Sequence, residues 1–242
     1  MIIPNAKRIK NYIKVNGFLK NLIPNKIKFF LKKLYKFFLY KLRKYYLMLV
    51  VRFSKRDLKI ILGAALTRQQ NWFSTNEEWL DITSSKDWEK IFLKKNTISN
   101  LLAEHVFEHL TAYEMRKALL NIYYYLRPNG IIRIAVLDGN NPNEEYIRNV
   151  GISGKGADAE DHKQLIKYET LRKEMKRIGF KVRLKEGYDK KGILKSTKID
   201  KDNGMITRSR YTNSAKKKYL KGIKGWEYKD SVSSLIIDGE KI

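Results

Sequence analysis

The most constraining feature of the chain is a strand, a capped helix and a second strand in succession between Ile98 and Val136. Ile98 to Ala103 is a short, mostly apolar run closing on Glu104, and Ile131-Ile132-Arg133-Ile134-Ala135-Val136 is another. Between them a helix is expected over Thr111 to Leu126. Thr111 at the N-cap and Glu114 three residues on spell a capping box, in which each side chain satisfies a backbone N–H that the first turn leaves open. Arg127 to Gly130 is the turn that stops the helix. Short apolar runs separated by a longer amphipathic segment are the pattern of a βαβ unit, and so of a parallel sheet.

The alternation extends along the chain from Asp57. Leu58 to Leu62 reads as a first strand, Trp72 to Thr75 as a second extended segment, and His162 to Ile178 as a further helix with Gly179 at its C′ position. Phe180 to Glu186 and Leu235 to Asp238 read as strands. Gly187 to Ser233, rich in Lys, Asp, Gly and Ser, follows neither period and is expected to be loop with a short hairpin.

Ahead of Asp57 the composition changes. Met1 to Arg56 contains no Asp or Glu, and much of the chain's formal charge of +26 over 242 residues is carried there. Such a charge favours polyanionic partners: nucleic acid, acidic lipid or phosphorylated glycan. Two compositional parts follow, a basic arm over 1–56 and a domain over 57–242. With no cysteine, a disulfide, a thiolate nucleophile and a Cys-ligated zinc site are excluded.

The arm has no secretory signal pattern, and its uncharged stretch Tyr45 to Val51 is too short to cross a bilayer. A cytoplasmic protein is expected, peripheral on the membrane if the arm binds lipid. At helical period Ile27, Phe30, Leu31, Leu34, Phe38, Leu42, Tyr45 and Leu49 share one face, while Lys28, Lys32, Lys33, Lys36 and Arg43 lie mostly on the other. Pro24 and Asn25 mark its start. A basic amphipathic helix of this kind lies on an anionic membrane, with its apolar side chains inserted and its lysines on lipid phosphates. The alternatives are packing on the domain or on a second copy, and nucleic-acid binding.

The run Ala103-Glu104-His105-Val106-Phe107-Glu108-His109-Leu110, followed by Leu126-Arg127-Pro128-Asn129-Gly130 and the strand Ile131 to Val136, resembles the second half of a class I S-adenosylmethionine-dependent methyltransferase. The likeness continues to Gly139 and the loop Gly151 to Lys163. It implies a Rossmann-like α/β fold, with a doubly wound, mostly parallel sheet and an antiparallel last strand, and S-adenosyl-L-methionine as cofactor. By the same resemblance the loop after the first strand, Gly63-Ala64-Ala65-Leu66-Thr67, meets the methionine portion. It keeps Gly63 of a Gly-x-Gly pattern and has Ala65 where a second glycine belongs. Asn76, with Glu77 beside it, falls at the ribose position, which commonly carries an acid. Asp81 falls where an acid meets the adenine amino group and Ile82 where an apolar side chain packs on the ring. Glu104 and His105 face the cofactor from the end of their strand.

Each of these also has a structural reading: Asp81 as a turn cap, Glu77 as a surface charge. The Gly151 to Lys163 loop resembles the family's substrate-side loop, with His162, oriented by Asp161 or Asp158, as the base for an acceptor hydroxyl. Alternatively Asp161 caps the following helix and His162 fills its first turn. Gly151, Gly154 and Gly156 are lid hinges or turn glycines.

His105-x-x-Glu108-His109 also spells an inverted zinc-peptidase motif, with both rings on one helical face and Glu108 as base. The turn and strand that follow are foreign to such peptidases, so the methyltransferase reading stands with no metal site. The expected acceptor is a small molecule or a glycan. Nucleic acid is the weaker expectation, because neither an Asn-Pro-Pro-aromatic pocket nor an aromatic-basic surface motif is present. An eroded cofactor loop leaves a second reading, a non-catalytic domain that binds membrane or nucleic acid through its charge.

Overall fold

The strand–helix–strand unit is the centre of the sheet. In the computed structural model, which describes residues 25–53, 57–65, 67–156, 159–207 and 234–242, Ile98–Glu104 is β3 and Leu126–Leu137 is β4, paired in parallel. All seven residues of β3 are buried. Its polar members are satisfied: Ser99 Oγ donates to the Leu58 carbonyl at 3.0 Å and Asn100 Nδ2 to Asn203 Oδ1 at 2.9 Å. Residues 127–130 form no separate turn. They loop out of the β3–β4 ladder, whose register jumps from Ile98↔Leu126 to Asn100↔Ile131, with Asn129 left-handed at φ 60°. Pro128, having no N–H to give, suits this excursion.

Around this pair the seven-stranded sheet has the order β2-β1-β3-β4-β7-β5-β6. β1 (Leu58–Leu62) and β2 (Phe73–Ser74) continue the parallel half. β7 (Ser234–Lys241) runs antiparallel between β4 and β5 (Phe180–Tyr188), and β6 (Leu194–Ser196) forms the expected hairpin with β5. This is the Rossmann-like, mostly parallel α/β sheet with an antiparallel last strand.

The helices of the domain are α2 (Ser85–Ile91), α3 (Ala112–Tyr125), α4 (Glu144–Val150) and α5 (Tyr168–Ile178). The short α2 and α4 escape the periodicity, though Ser84 and Asn143 cap them. The helix expected from His162 starts six residues later, at Tyr168. Residues 162–167 are held by other elements instead: Lys163 N–H donates to the Glu108 carbonyl at 2.8 Å, Gln164 Nε2 to the Leu110 carbonyl at 2.8 Å, and the Ile166 carbonyl accepts from Gly139 at 2.9 Å. The helix ends as expected at Gly179, left-handed at φ 117°.

The capping box is complete, with Glu114 Oε2 accepting from Thr111 N–H at 2.7 Å. Hydrogen bonds from the Thr111 backbone, then from the Lys163 and Thr111 side chains, hold the Glu114 carboxyl down at about 2. Because that lies below its ordinary 4.5, the cap is fully effective above about 4.5 and fades as pH falls toward about 2. Thr111→Ala is expected to cost about 1 kcal/mol in urea unfolding at neutral pH, and to lose part of that difference at low pH.

One face of the sheet carries the larger core, where the fully buried Trp88 stacks on Tyr125 at 5.3 Å and packs against Phe92. Over the other face, Ile61, Leu102, Ala135 and Ile236 are covered by Ile206 and Ile199. This cover comes from residues 199–207, part of the long segment read as loop. Residues 208–233 of that segment, Asp158 and the arm before Asn25 lie outside the described residues.

The chain divides into two units, Met1–Arg43 and Lys44–Ile242. Helix α1 (Asn25–Phe53) contains the boundary, so the second unit begins thirteen residues before the change in composition. The reason is Leu47, which is buried, with Met48 and Val51 packed beside it. The predicted stripe points elsewhere: Tyr45 and Leu49 are 63% and 52% exposed. Two residues on a helix are about 200° apart, so Leu47 packs through the face opposite to Leu49. No described helix is long and apolar enough to cross a membrane.

Candidate active site at the carboxyl ends of the sheet

The chain order β1, β2, β3 against the spatial order β2-β1-β3 means that the connection out of β1 goes to one side and the return comes back on the other. Ligands of open α/β sheets bind at such a switch point, beyond the carboxyl ends of the strands. Here those ends are Gly63 after β1 and His105 after β3. Both are left-handed, Gly63 at φ 54° and His105 at φ 53°, and so is Ala65 at φ 48°. For non-glycine residues this is a strained backbone of the kind that clusters at functional sites. The two loops touch, since a Cβ on Gly63 would stand 2.6 Å from Val106 Cγ2.

Most of the loop's amides are already used. Ala64 N–H donates to the Thr75 carbonyl at 2.8 Å, Thr67 N–H to the Ala64 carbonyl at 2.7 Å, and Ala65 N–H to Asn76 Oδ1 at 2.8 Å. Asn76, expected at the ribose, thus ties the β1 loop to the end of β2, while the neighbouring Glu77 is exposed. Asp81 makes the turn it was alternatively expected to make, its Oδ1 accepting from both the N–H and the hydroxyl of Thr83 at 2.8 Å. The Ile82 side chain is in the core and its carbonyl accepts from Trp88 Nε1 at 3.0 Å. Glu104 is fully buried and accepts from Thr207 N–H at 3.1 Å on both oxygens.

The Glu-His segment is not a continuous helix. Residues Phe107–His109 make one 3-10 turn, and the left-handed His105 precedes it. The two histidines therefore do not share a helical face as the zinc-peptidase motif requires. Instead His105 Nδ1 donates to Glu108 Oε1 at 2.8 Å. Burial raises the pKa of Glu108, but the His105 hydrogen bond and the neighbouring imidazoles together outweigh it and hold the carboxyl below its ordinary range.

The backbone bonds that keep residues 162–167 extended also bring His162 over this turn. Its ring lies 4.9 Å from that of His109, centroid to centroid. His162 Nδ1 donates to the Val150 carbonyl at 2.7 Å, so that carbonyl orients the ring. Asp161, the expected orienting group, is exposed, and its carbonyl faces His109 Nδ1 at 3.4 Å. No local sequence signal could have found either partner. Of the two readings of the glycines, hinge or turn, the hydrogen bonds are those of turns: Gly154 N–H donates to the Gly151 carbonyl at 3.0 Å, Gly156 N–H to the Asn149 carbonyl at 2.8 Å, and Gly151 ends α4.

At the end of β4, Asp138 is buried and accepts from Tyr188 N–H at 2.7 Å and Asn140 N–H at 2.9 Å, tying the ends of β4 and β5 together. Burial pushes its pKa up against those two bonds.

No family model and no curated protein matches this chain. Among solved structures it is similar to a SAM-dependent methyltransferase of Archaeoglobus fulgidus, 15% identical with a TM-score of 0.45, over 84% of this chain and 94% of that one. It is similar also to a SAM-dependent methyltransferase of Thermotoga maritima, 13% identical with a TM-score of 0.43, over 88% and 97%. A third is phosphoethanolamine N-methyltransferase 2 of Haemonchus contortus in complex with S-adenosyl-L-methionine, 11% identical with a TM-score of 0.39, over 80% and 51%. At these values the fold assignment rests on the strand order and senses of the sheet itself.

Proposed function

We propose that the Lys44–Ile242 unit moves a methyl group from S-adenosyl-L-methionine to a small-molecule or glycan acceptor. The observation that carries this reading is the switch point, where left-handed Gly63 and His105 follow β1 and β3 and the Val106 side chain packs against Gly63. With Asn76 engaged by Ala65, Glu77 is the carboxylate offered to the ribose hydroxyls, a task that suits two acceptor oxygens. In-line transfer needs the sulfonium methyl and the acceptor atom aligned, and an acceptor hydroxyl must lose its proton. His162 serves as that base through Nε2, because the Val150 carbonyl keeps the ring proton on Nδ1.

The arm is proposed to hold the enzyme at an anionic membrane. Its support is the stripe of α1, in which Phe30, Phe38 and Leu42 are 63%, 57% and 66% exposed. One observation favours the second reading, a domain of this fold that binds without catalysing: the Ala64, Ala65 and Thr67 amides are already engaged, by Thr75, Asn76 and the Ala64 carbonyl, and not held open for a ligand.

Calorimetric titration with S-adenosylhomocysteine separates the two. Micromolar binding, about −8 kcal/mol, that weakens in Glu77→Gln is the expected result. Absence of binding overturns the methyltransferase reading in favour of the second.

A further inference from the structure

We propose that Glu108, His109 and His162 form a binding site for a divalent transition-metal cation of the zinc class. One ligand atom from each side chain lies within 4.8 Å of the other two. Glu108 is 1% exposed. One carboxylate oxygen is taken by His105, and Oε2 is buried with no hydrogen-bond partner among the described residues. A buried carboxylate oxygen left bare is costly, and a cation is the partner that would satisfy it.

The histidines are prepared in the same sense. Each has Nδ1 on a backbone carbonyl, Val150 for His162 and Asp161 for His109. A carbonyl only accepts, so both rings carry their proton on Nδ1 and present the Nε2 lone pair. Ligating histidines are commonly oriented in this way by a carbonyl or carboxylate on the other nitrogen. His105 does the corresponding work for the carboxylate. Zinc bonds of about 2.0–2.2 Å at tetrahedral angles place ligand atoms about 3.3 Å apart, so atoms already within 4.8 Å close on an ion by small side-chain rotations.

Two imidazoles and one carboxylate suit Zn2+, Co2+, Ni2+ or Fe2+ far better than Mg2+ or Ca2+, which take all-oxygen sets. Three protein ligands also leave a coordination position open to an oxygen of water or of a bound molecule. The site stands whether or not the domain transfers methyl groups. A cation and an acceptor proton compete for His162 Nε2, so His162 acts as a base only in the cation-free protein.

The test uses tag-free, full-length protein, stripped with chelator and desalted, titrated with Zn2+ by calorimetry and with Co2+ by visible absorption, without any methyl donor. One equivalent should bind, and Glu108→Gln, His109→Ala and His162→Ala should each weaken binding tenfold or more, with Glu89→Ala, at an exposed position, leaving it unchanged. The chain has only 3 histidines, so imidazole nitrogen NMR of the unmutated protein gives a second reading that no folding defect can confuse. Zn2+ should shift Nε2 of His109 and His162. Failure to bind, binding indifferent to the three substitutions, or shifts at neither Nε2 would overturn the site.

Discussion

Arg133→Met is expected to lower the free energy of unfolding by about 3–5 kcal/mol, read from urea denaturation of the purified protein. Arg133 is fully buried within β4, and its guanidinium forks onto Asp238 of β7, Nε to Oδ1 and Nη2 to Oδ2 at 2.7 Å each. Nη1 donates to the carbonyls of Asp200, at 2.5 Å, and Gly204, at 2.7 Å. Methionine fills much of the space but leaves the 5% exposed Asp238 without its counter-charge and two carbonyls without donors. Replacing both partners by apolar residues is often close to neutral, so Arg133→Met with Asp238→Leu should recover a large part of the loss. It should not recover all, because the Asp200 and Gly204 carbonyls stay bare. Arg133→Lys should fail too, as one ammonium does not reproduce a planar fork. A single-variant cost below about 1 kcal/mol would mean that Arg133 holds neither β7 nor the 199–207 segment to β4.

That segment also shows where reading the sequence stops. β1, β3, β4 and the capping box are legible because their determinants are local: an apolar run, or a Thr and a Glu three residues apart. Arg133 sits in an apolar run and nothing nearby marks it as buried, since its partners Asp238, Asp200 and Gly204 are 67 or more residues away. His162 has the same character. Its neighbours suggest the start of a helix, whereas bonds from Lys163 and Gln164 to residues 107–110 and from its own ring to the Val150 carbonyl keep it extended beside His109. Of the positions that the resemblance assigns to the cofactor, Asn76 accepts from the Ala65 amide and Asp81 caps its own turn, bonds that the order of residues along the chain does not announce. On α1 the period is right and the packing is not deducible from it, because two apolar faces compete and Leu47 lies on the less conspicuous one.

Gly63→Ala is expected to destabilise the domain by about 2–5 kcal/mol and to weaken S-adenosylhomocysteine binding more than any substitution outside the two loops. Two causes add. At φ 54° an alanine in the left-handed region loses about 1–2 kcal/mol relative to glycine. Its Cβ would also stand 2.6 Å from Val106 Cγ2, a contact that forces one of the two loops to move, at about 1–3 kcal/mol. The causes separate in a double-mutant cycle with Val106→Ala, which removes the colliding methyl and leaves the backbone cost. If the contact governs, Gly63→Ala in the Val106→Ala background should cost only the backbone part, with a coupling of about 1 kcal/mol or more, and ligand binding should partly return. Strict additivity would instead assign the whole cost to the backbone and free Val106 from any part in shaping the site. The neighbouring Ala65, a non-glycine held at φ 48°, shows that this loop already tolerates one strained residue through its bond to Asn76. Gly63 has no room for a second, because the space its side chain would need is occupied by the residue after His105.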